Sequence, residues 1–320
     1  MLAEANENEG PKDAENEKLA CEPVDPSDKE ASKKATKYIS PYRINEFDPK
    51  QKELFETLKK KVFDAVLEKK ICTPEVLEHL KKTEVLNDWC FYRFLTGWQY
   101  KVDKAFPMMV KMVEYNLSFK PENVRWKDGG KVAASGFLFQ TGYDKYNRPL
   151  IFIELKNDKT KNDKVGKDLK YKCLLNCLET CIKRMSTNVY QVTWVVDLKG
   201  SNFNLSTVKN LKGLFDMIGD NYPERAGRII VLNPPFVINI IVAFIRPLLT
   251  VDQQKKYVFI AGKPADVRKK LLNFVPESQL PNWWYGGKSE FKFEFVSLCK
   301  KDEEFAAARA NGTEENSPTH

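Results

Sequence analysis

Histidine is nearly missing from this 320-residue chain: there are two, His79 and His320, and the second is the final residue. Ser-His-Asp and Cys-His catalysis require a positioned imidazole, which leaves His79 alone to serve. Zinc sites combine Cys with His or use paired Cys-x-x-Cys units. None of the seven cysteines forms such a unit, so no metal site is expected. Phosphate-cradling loops are missing as well. Gly286-Gly287-Lys288-Ser289 ends like a P-loop, but the glycine required five positions before Gly287 is Asn282. No Gly-x-Gly-x-x-Gly follows a strand, and no Gly-x-Ser-x-Gly elbow occurs. No paired carboxylates have a distinctive spacing, so the chain does not read as an enzyme. It also starts without an apolar leader core, and its cysteine count is odd. Both point to a reducing, cytosolic compartment with free thiols. The glycosylation triplets at Asn116, Asn204 and Asn311 are then chance matches. Cys173, Cys177 and Cys181 recur every four residues on one helical face and read as small buried hydrophobes.

Negative charge is scarce in the body of the chain and concentrated at its ends. Residues 1–30 carry a net −7 and residues 301–320 a net −3, which leaves +18 on residues 31–300 although the total is only +8. A body so basic is attracted to polyanions, either nucleic acid or an anionic membrane surface. No nucleic-acid-binding signature accompanies the charge.

The first 38 residues are rich in Glu, Asp, Lys, Asn and Pro, cannot bury enough apolar surface to fold, and read as disordered. Asp48-Pro49 and Thr73-Pro74 are helix starts. Leu54, Leu58, Val62, Val66 and Leu67 mark one helical face. Trp89–Leu95 and Lys101–Leu117 read as further helices, the second with Ala105, Met108, Met109, Met112 and Val113 inward. The pattern changes after Trp126. Gly136–Gln140, Leu150–Leu155, Gln191–Asp197, Gly227–Leu232 and Tyr257–Ile260 read as strands, and an alternating strand is expected at Phe291–Val296. Helices are expected at about Gly166–Met185, Leu205–Ile218 and Pro264–Phe274. The alternation defines an α/β class with a largely parallel sheet. Expected boundaries are a disordered acidic tail over 1–41, a helical unit over 42–128, an α/β unit over 129–298 and an acidic tail over 299–320.

Phe236–Ile245 has one polar residue in ten. At 1.5 Å per residue it spans ~15 Å, about half of what a bilayer crossing needs. It reads either as a fully buried core helix or as a helix that covers an apolar cavity and touches membrane when it moves.

Several stretches, in order, resemble the CRAL-TRIO family and its yeast-type (Sec14-like) phosphatidylinositol transfer proteins. They are Asp144-Lys145 with Arg148-Pro149, Val195–Gly200, Asn221–Arg228, Val231–Phe236, Arg246–Leu249, and Leu280-Pro281 with Tyr285–Gly287. The resemblance covers roughly residues 50–290. It implies a helical N-terminal domain followed by an α/β lipid-binding domain, in which the sheet floors an apolar pocket gated by a mobile helix. Phe236, Ile240, Ile241, Phe244 and Ile245 then belong to the gate. The family's head-group residues carry over to Glu224 and Lys256, with Gln253 grouped beside them. A lysine ammonium suits a phosphate, and a carboxylate accepts from inositol hydroxyls. The plain alternative for Glu224 is an ion pair with Arg225, Arg228 or Lys256, and for Lys256 a solvated surface position.

Two departures bear on the ligand. The family's basic pair in Phe-Leu-Arg-Ala-Arg-Lys-Phe becomes Trp98 and Gln99. The positions that bind a choline lipid in other members are Val192, Trp194, Gln140 and Ile151 here, so these are expected pocket-lining residues without choline-lipid exchange. Val192 and Trp194 cannot ligate haem iron either. The expectation is a monomeric, cytoplasmic carrier, transiently at anionic membranes. It would hold phosphatidylinositol or else a sterol or other apolar molecule, with no cofactor beyond the bound lipid and no nucleic-acid partner. A lipid-sensing scaffold without transfer activity is the remaining alternative.

Overall fold

A computed structural model describes residues 47–161, 163–186, 189–201, 218–235 and 254–310. The tail over 1–41, the helix over 205–218, Phe236–Ile245 with all its gate residues, and Gln253 lie outside the described residues.

The N-terminal unit is four helices: α1 (Pro49–Glu68), α2 (Pro74–Leu80), α3 (Asp88–Gly97) and α4 (Val102–Phe119). Local chemistry starts the first three. Asp48 and Gln51 form a reciprocal capping box ahead of Pro49. Thr73 and Asn87 cap α2 and α3 through side-chain oxygens that accept backbone N–H groups. Phe55, Leu58, Val62 and Val66 of α1 pack with Phe91, Phe94, Leu95, Met109 and Val113. Leu67, one residue past that stripe, is exposed.

The α/β unit is a five-stranded sheet in the order β1-β2-β3-β4-β5: Leu138–Tyr143, Pro149–Glu154, Val192–Asp197, Ala226–Leu232 and Tyr257–Ile260. β1 is antiparallel to β2 and the other neighbours are parallel. Helix α5 (Gly130–Ala134) precedes β1, α6 (Lys164–Lys183) joins β2 to β3, and α7 (Pro264–Leu271) follows β5. Cys173, Cys177 and Cys181 are free thiols, fully buried on α6. Val124 and Trp126 belong to the sheet's core, so that core begins a few residues before position 129.

Directly paired strand residues project to one face. One face carries Phe139, Phe152, Val195 and Thr193 with Glu154 and Asp197 at its end. The segment 274–293 lies across it. The Trp284 indole N–H donates to Glu154, Tyr285 Oη donates to Asp197 at 3.1 Å, and Phe291 stacks on Phe139 at 5.9 Å. Phe291–Val296 is not a strand. Phe291 and Phe293 alternate because they dock in this aromatic cluster with no strand beside them. From Phe295 the chain is helical, α8, through Ala310, where an acidic tail was expected. Asp302 of α8 accepts the Trp126 N–H at 2.7 Å, and that bond ties the helix to the body.

At the N-terminal edge of the sheet, buried Asp144 accepts from the backbone N–H groups of Tyr146 and Arg148 and from Thr193 Oγ1 at 2.6 Å. Thr193→Val keeps the volume and deletes one donor to a buried carboxylate, so the expected loss of stability is about 1–3 kcal/mol. Urea unfolding of the two proteins measures it, and coincident curves would mean that this hydroxyl carries no stability.

Candidate functional site

The other face of the sheet holds the expected lining residues. Gln140, Ile151, Trp194, Ile229 and Tyr257 form one transverse row across the five strands. Leu138, Ile153, Val196, Val231 and Phe259 form the next row on the same face. Cover over this face is uneven. Helix α6 crosses it at β1 and β2, and Arg184 just beyond its end donates to Gln140 Oε1 at 2.5 Å. Ile151 and Val192 are fully buried there and Trp194 nearly so. Exposure then climbs along both rows to 36% at Tyr257 and 42% at Phe259. Ile260, their neighbour on β5, points to the opposite face and is 2% exposed. Val258 on that opposite face is partly buried, so on β5 the exposure is greater on the face of Tyr257 and Phe259. Tyr257 and Phe259 stack at 6.4 Å with planes 12° apart, and desolvation pushes the Tyr257 phenol above its ordinary value.

The structure thus puts Gln140, Ile151 and Trp194 in one row, with Val192 next along β3. The first three positions from β1 to β3 lie under protein, and the accessible wall is on β4 and β5. Tyr257 and Phe259 were not singled out from sequence. Their signal was available: two aromatics at i and i+2 in a strand share a face.

Glu224 and Lys256 meet at the N-terminal edge of β4 and β5. Lys256 Nζ donates to Glu224 Oε2 at 2.6 Å, and both side chains are mostly buried. Of the three cations weighed as partners for Glu224, Lys256 is the one it pairs with here. Arg225 instead turns away, donating to Glu84 Oε2 at 2.6 Å and to the Tyr190 carbonyl at 3.0 Å. A left-handed backbone at Glu224, φ 58°, produces this divergence of adjacent side chains. A Cβ placed on Gly97 of α3 would lie 3.5 Å from Glu224 Cγ. The segment Trp98-Gln99, where the family's basic pair is lost, therefore follows directly on the contact with Glu224. The pair can present one donor and one acceptor to a polyol phosphate.

Behind this loop Tyr222 Oη donates to Glu179 Oε1 of α6 at 2.5 Å. Burial raises the Glu179 carboxyl above its ordinary value, opposed by that hydrogen bond and by Lys183 and Arg225. Among the described residues no group of His, Cys, Asp and Glu could hold a metal, and no helix is long and apolar enough to cross a membrane.

Comparison with known proteins agrees with this geometry. Residues 133–287 match the model of the CRAL/TRIO domain. Patellin-4 of Arabidopsis thaliana is 26% identical over 223 residues, 66% of this chain and 41% of patellin-4. Patellin-6 is 25% identical over 218 residues, covering 63% of this chain and 51% of its own length. The chain thus spans about half or less of the length of these relatives. A CRAL-TRIO domain-containing protein of Saccharomyces cerevisiae is 25% identical over 230 residues, 64% of this chain and 72% of that protein. The crystal structure of Sfh5 superposes with a TM-score of 0.58 at 17% identity, covering 83% of this chain and 99% of Sfh5. Residues 133–287 are thus similar to the CRAL/TRIO domain, and the chain shares the fold of Sfh5.

Glu179 gives a pH dependence with a definite sign. A carboxyl whose folded pKa exceeds its unfolded value binds more protons in the native state, so its contribution to stability falls as pH rises through that window. Glu179→Gln, which keeps an acceptor for Tyr222, should gain stability relative to the parent at neutral pH. The gain should shrink as pH drops toward the ordinary carboxylate value of 4.5. Urea midpoints at both ends of the window test this, and an advantage that grows toward acid would reverse the assignment.

Proposed function

We propose that this protein is a lipid carrier that holds the apolar part of one lipid against the open half of the sheet. The observation that carries the reading is the rise in exposure along two apolar rows to Tyr257 and Phe259, on a strand whose opposite face is better covered, with Val258 partly buried and Ile260 buried. Apolar surface left open in this way is stabilised by a ligand, at ~25 cal/mol per Å² covered. The CRAL/TRIO match supports lipid as the ligand class. Phosphatidylinositol is the first choice, with Lys256 donating to its phosphate and Glu224 accepting from inositol hydroxyls once their mutual pair opens. Val192, Trp194, Ile151 and Gln140 offer no choline-recognising hydroxyl set, which argues against phosphatidylcholine. A sterol is the second reading. It is favoured by the flat, parallel rings of Tyr257 and Phe259, which suit a planar apolar ligand. The segment Phe236–Ile245 is assigned the role of cover in this proposal, and the carrier meets membranes peripherally and transiently.

Organic extraction of the purified protein followed by mass spectrometry should recover one lipid per chain, with phosphatidylinositol the main species. Recovery of a sterol would replace the head-group assignment. Phosphatidylcholine as the main species would overturn the reading of Val192 and Trp194, and an empty, stable protein would favour a scaffold. Lys256→Ala removes one charge-assisted hydrogen bond, worth about 1.5–3 kcal/mol. It should lower phosphatidylinositol transfer between vesicles about tenfold to a hundredfold, and unchanged transfer would remove Lys256 from the site.

A further inference from the structure

The connection from β2 into α6 holds seven lysines and three aspartates between positions 156 and 172. The acids there are already engaged. Asp158 pairs with Lys170 at 2.6 Å and Asp168 with Lys172 at 2.8 Å, while Asp163 caps α6 by accepting the Gly166 N–H. Lys159, Lys161, Lys164 and Lys167 are exposed and have no ion pair among the described residues. Lys199, in the turn that leaves β3, joins them. A Cβ on its neighbour Gly200 would lie 3.8 Å from Lys156 Cβ, so both connections share the C-terminal edge of the sheet.

Two features set this collar apart from an ordinary solvated lysine face. Lys164 opens α6 and Lys167 lies in its first turn, a turn that contains no acid. The positive end of a helix dipole disfavours cations there, so the fold tolerates a local electrostatic cost at the collar. Between those lysines Val165 is 67% exposed, an apolar side chain at the crest of a basic ridge.

We propose that this lysine collar is the surface by which the protein docks on an anionic lipid bilayer, with Val165 entering the interfacial region. The assignment rests on the lipid-carrier reading above, since it gives the carrier its donor and acceptor surface. A bilayer is favoured over a polynucleotide because Val165 has no use against a phosphodiester backbone. The collar also borders the face that bears Trp194 and Phe259, because α6 begins there before crossing it.

The test is binding to mixed phosphatidylcholine–phosphatidylserine vesicles by the parent, by a Lys159→Glu, Lys161→Glu, Lys167→Glu variant, and by a control. The control, Lys52→Glu, Lys104→Glu, Lys111→Glu, makes the same change in net charge at exposed positions of the helical unit. Each lysine at a charged bilayer is worth about fivefold in affinity, so the collar variant should bind roughly a hundredfold more weakly. The control should stay within about threefold of the parent because distant charges are screened. Val165→Asp should weaken binding as well. Equal losses in both triple variants, or none in the collar variant, would overturn the proposal. So would unaltered vesicle binding with lost affinity for a single-stranded polynucleotide. Lipid extracted from the collar variant should match that of the parent. A parent protein that carries no lipid would sink the carrier reading, whereas a lipid-loaded collar variant that still docks would sink this one.

Discussion

One buried cation organises the molecule. Arg225 sits between the helical unit and the sheet, and burial, then the neighbouring Arg93, lower its pKa to about 10. It remains charged at neutral pH and needs an anion, which Glu84 supplies from the connection between α2 and α3. Its other donor meets the Tyr190 carbonyl just ahead of β3. Trp89 of α3 stacks on Tyr190 at 5.2 Å, so the ionic and aromatic contacts close the same seam. Removing Glu84, itself half exposed, would leave the buried Arg225 charge without its carboxylate, at a cost of about 3–5 kcal/mol. The orientation of Arg225 also fixes what comes before it, because the left-handed turn at Glu224 sends the preceding carboxylate to the opposite side.

The buried charged pair and the open apolar rows stand at different places on one scaffold. Glu224 and Lys256 stand at the N-terminal edge of the sheet, beside the end of α3. The apolar wall lies on β4 and β5, where α6 gives no cover. The lysine collar lies at the C-terminal edge. Pairing within the sheet keeps these regions at fixed separations, and the aromatic strap over the opposite face keeps the sheet from relaxing away from the open side.

Local signals were legible in the sequence. Asp48-Pro49 and Thr73-Pro74 mark their helices because caps act within one turn, and Val192–Asp197 declares its strand through β-branched residues. The alternation at Phe291–Val296 misleads because period-two burial needs only a surface to dock on, and here the surface is Phe139 and Trp126. Helix α8 was hidden by its charge, since its anchor is one carboxylate, Asp302, that reaches an N–H 176 residues earlier. At the candidate site Glu224 and Lys256 were nameable from motif, and their pairing was among the alternatives. Glu84 as the partner of Arg225 lies 141 residues away, and no spacing rule connects positions so distant. Tyr257 and Phe259 passed unnoticed because a four-residue strand carries little pattern.

The cysteine stripe on α6 has a chemical consequence. Burial drives the Cys181 thiol to about 12 and Cys177 well above its ordinary value, so neither offers the thiolate that reacts with electrophiles. Among the described thiols, Cys72 and Cys299 are partly accessible and would be consumed first. Cys90 of α3 is buried too, so the later, slower alkylation must be read residue by residue, and at Cys173, Cys177 and Cys181 it counts how often α6 lifts from the sheet. It acts as an internal clock on the closed half of that face of the sheet.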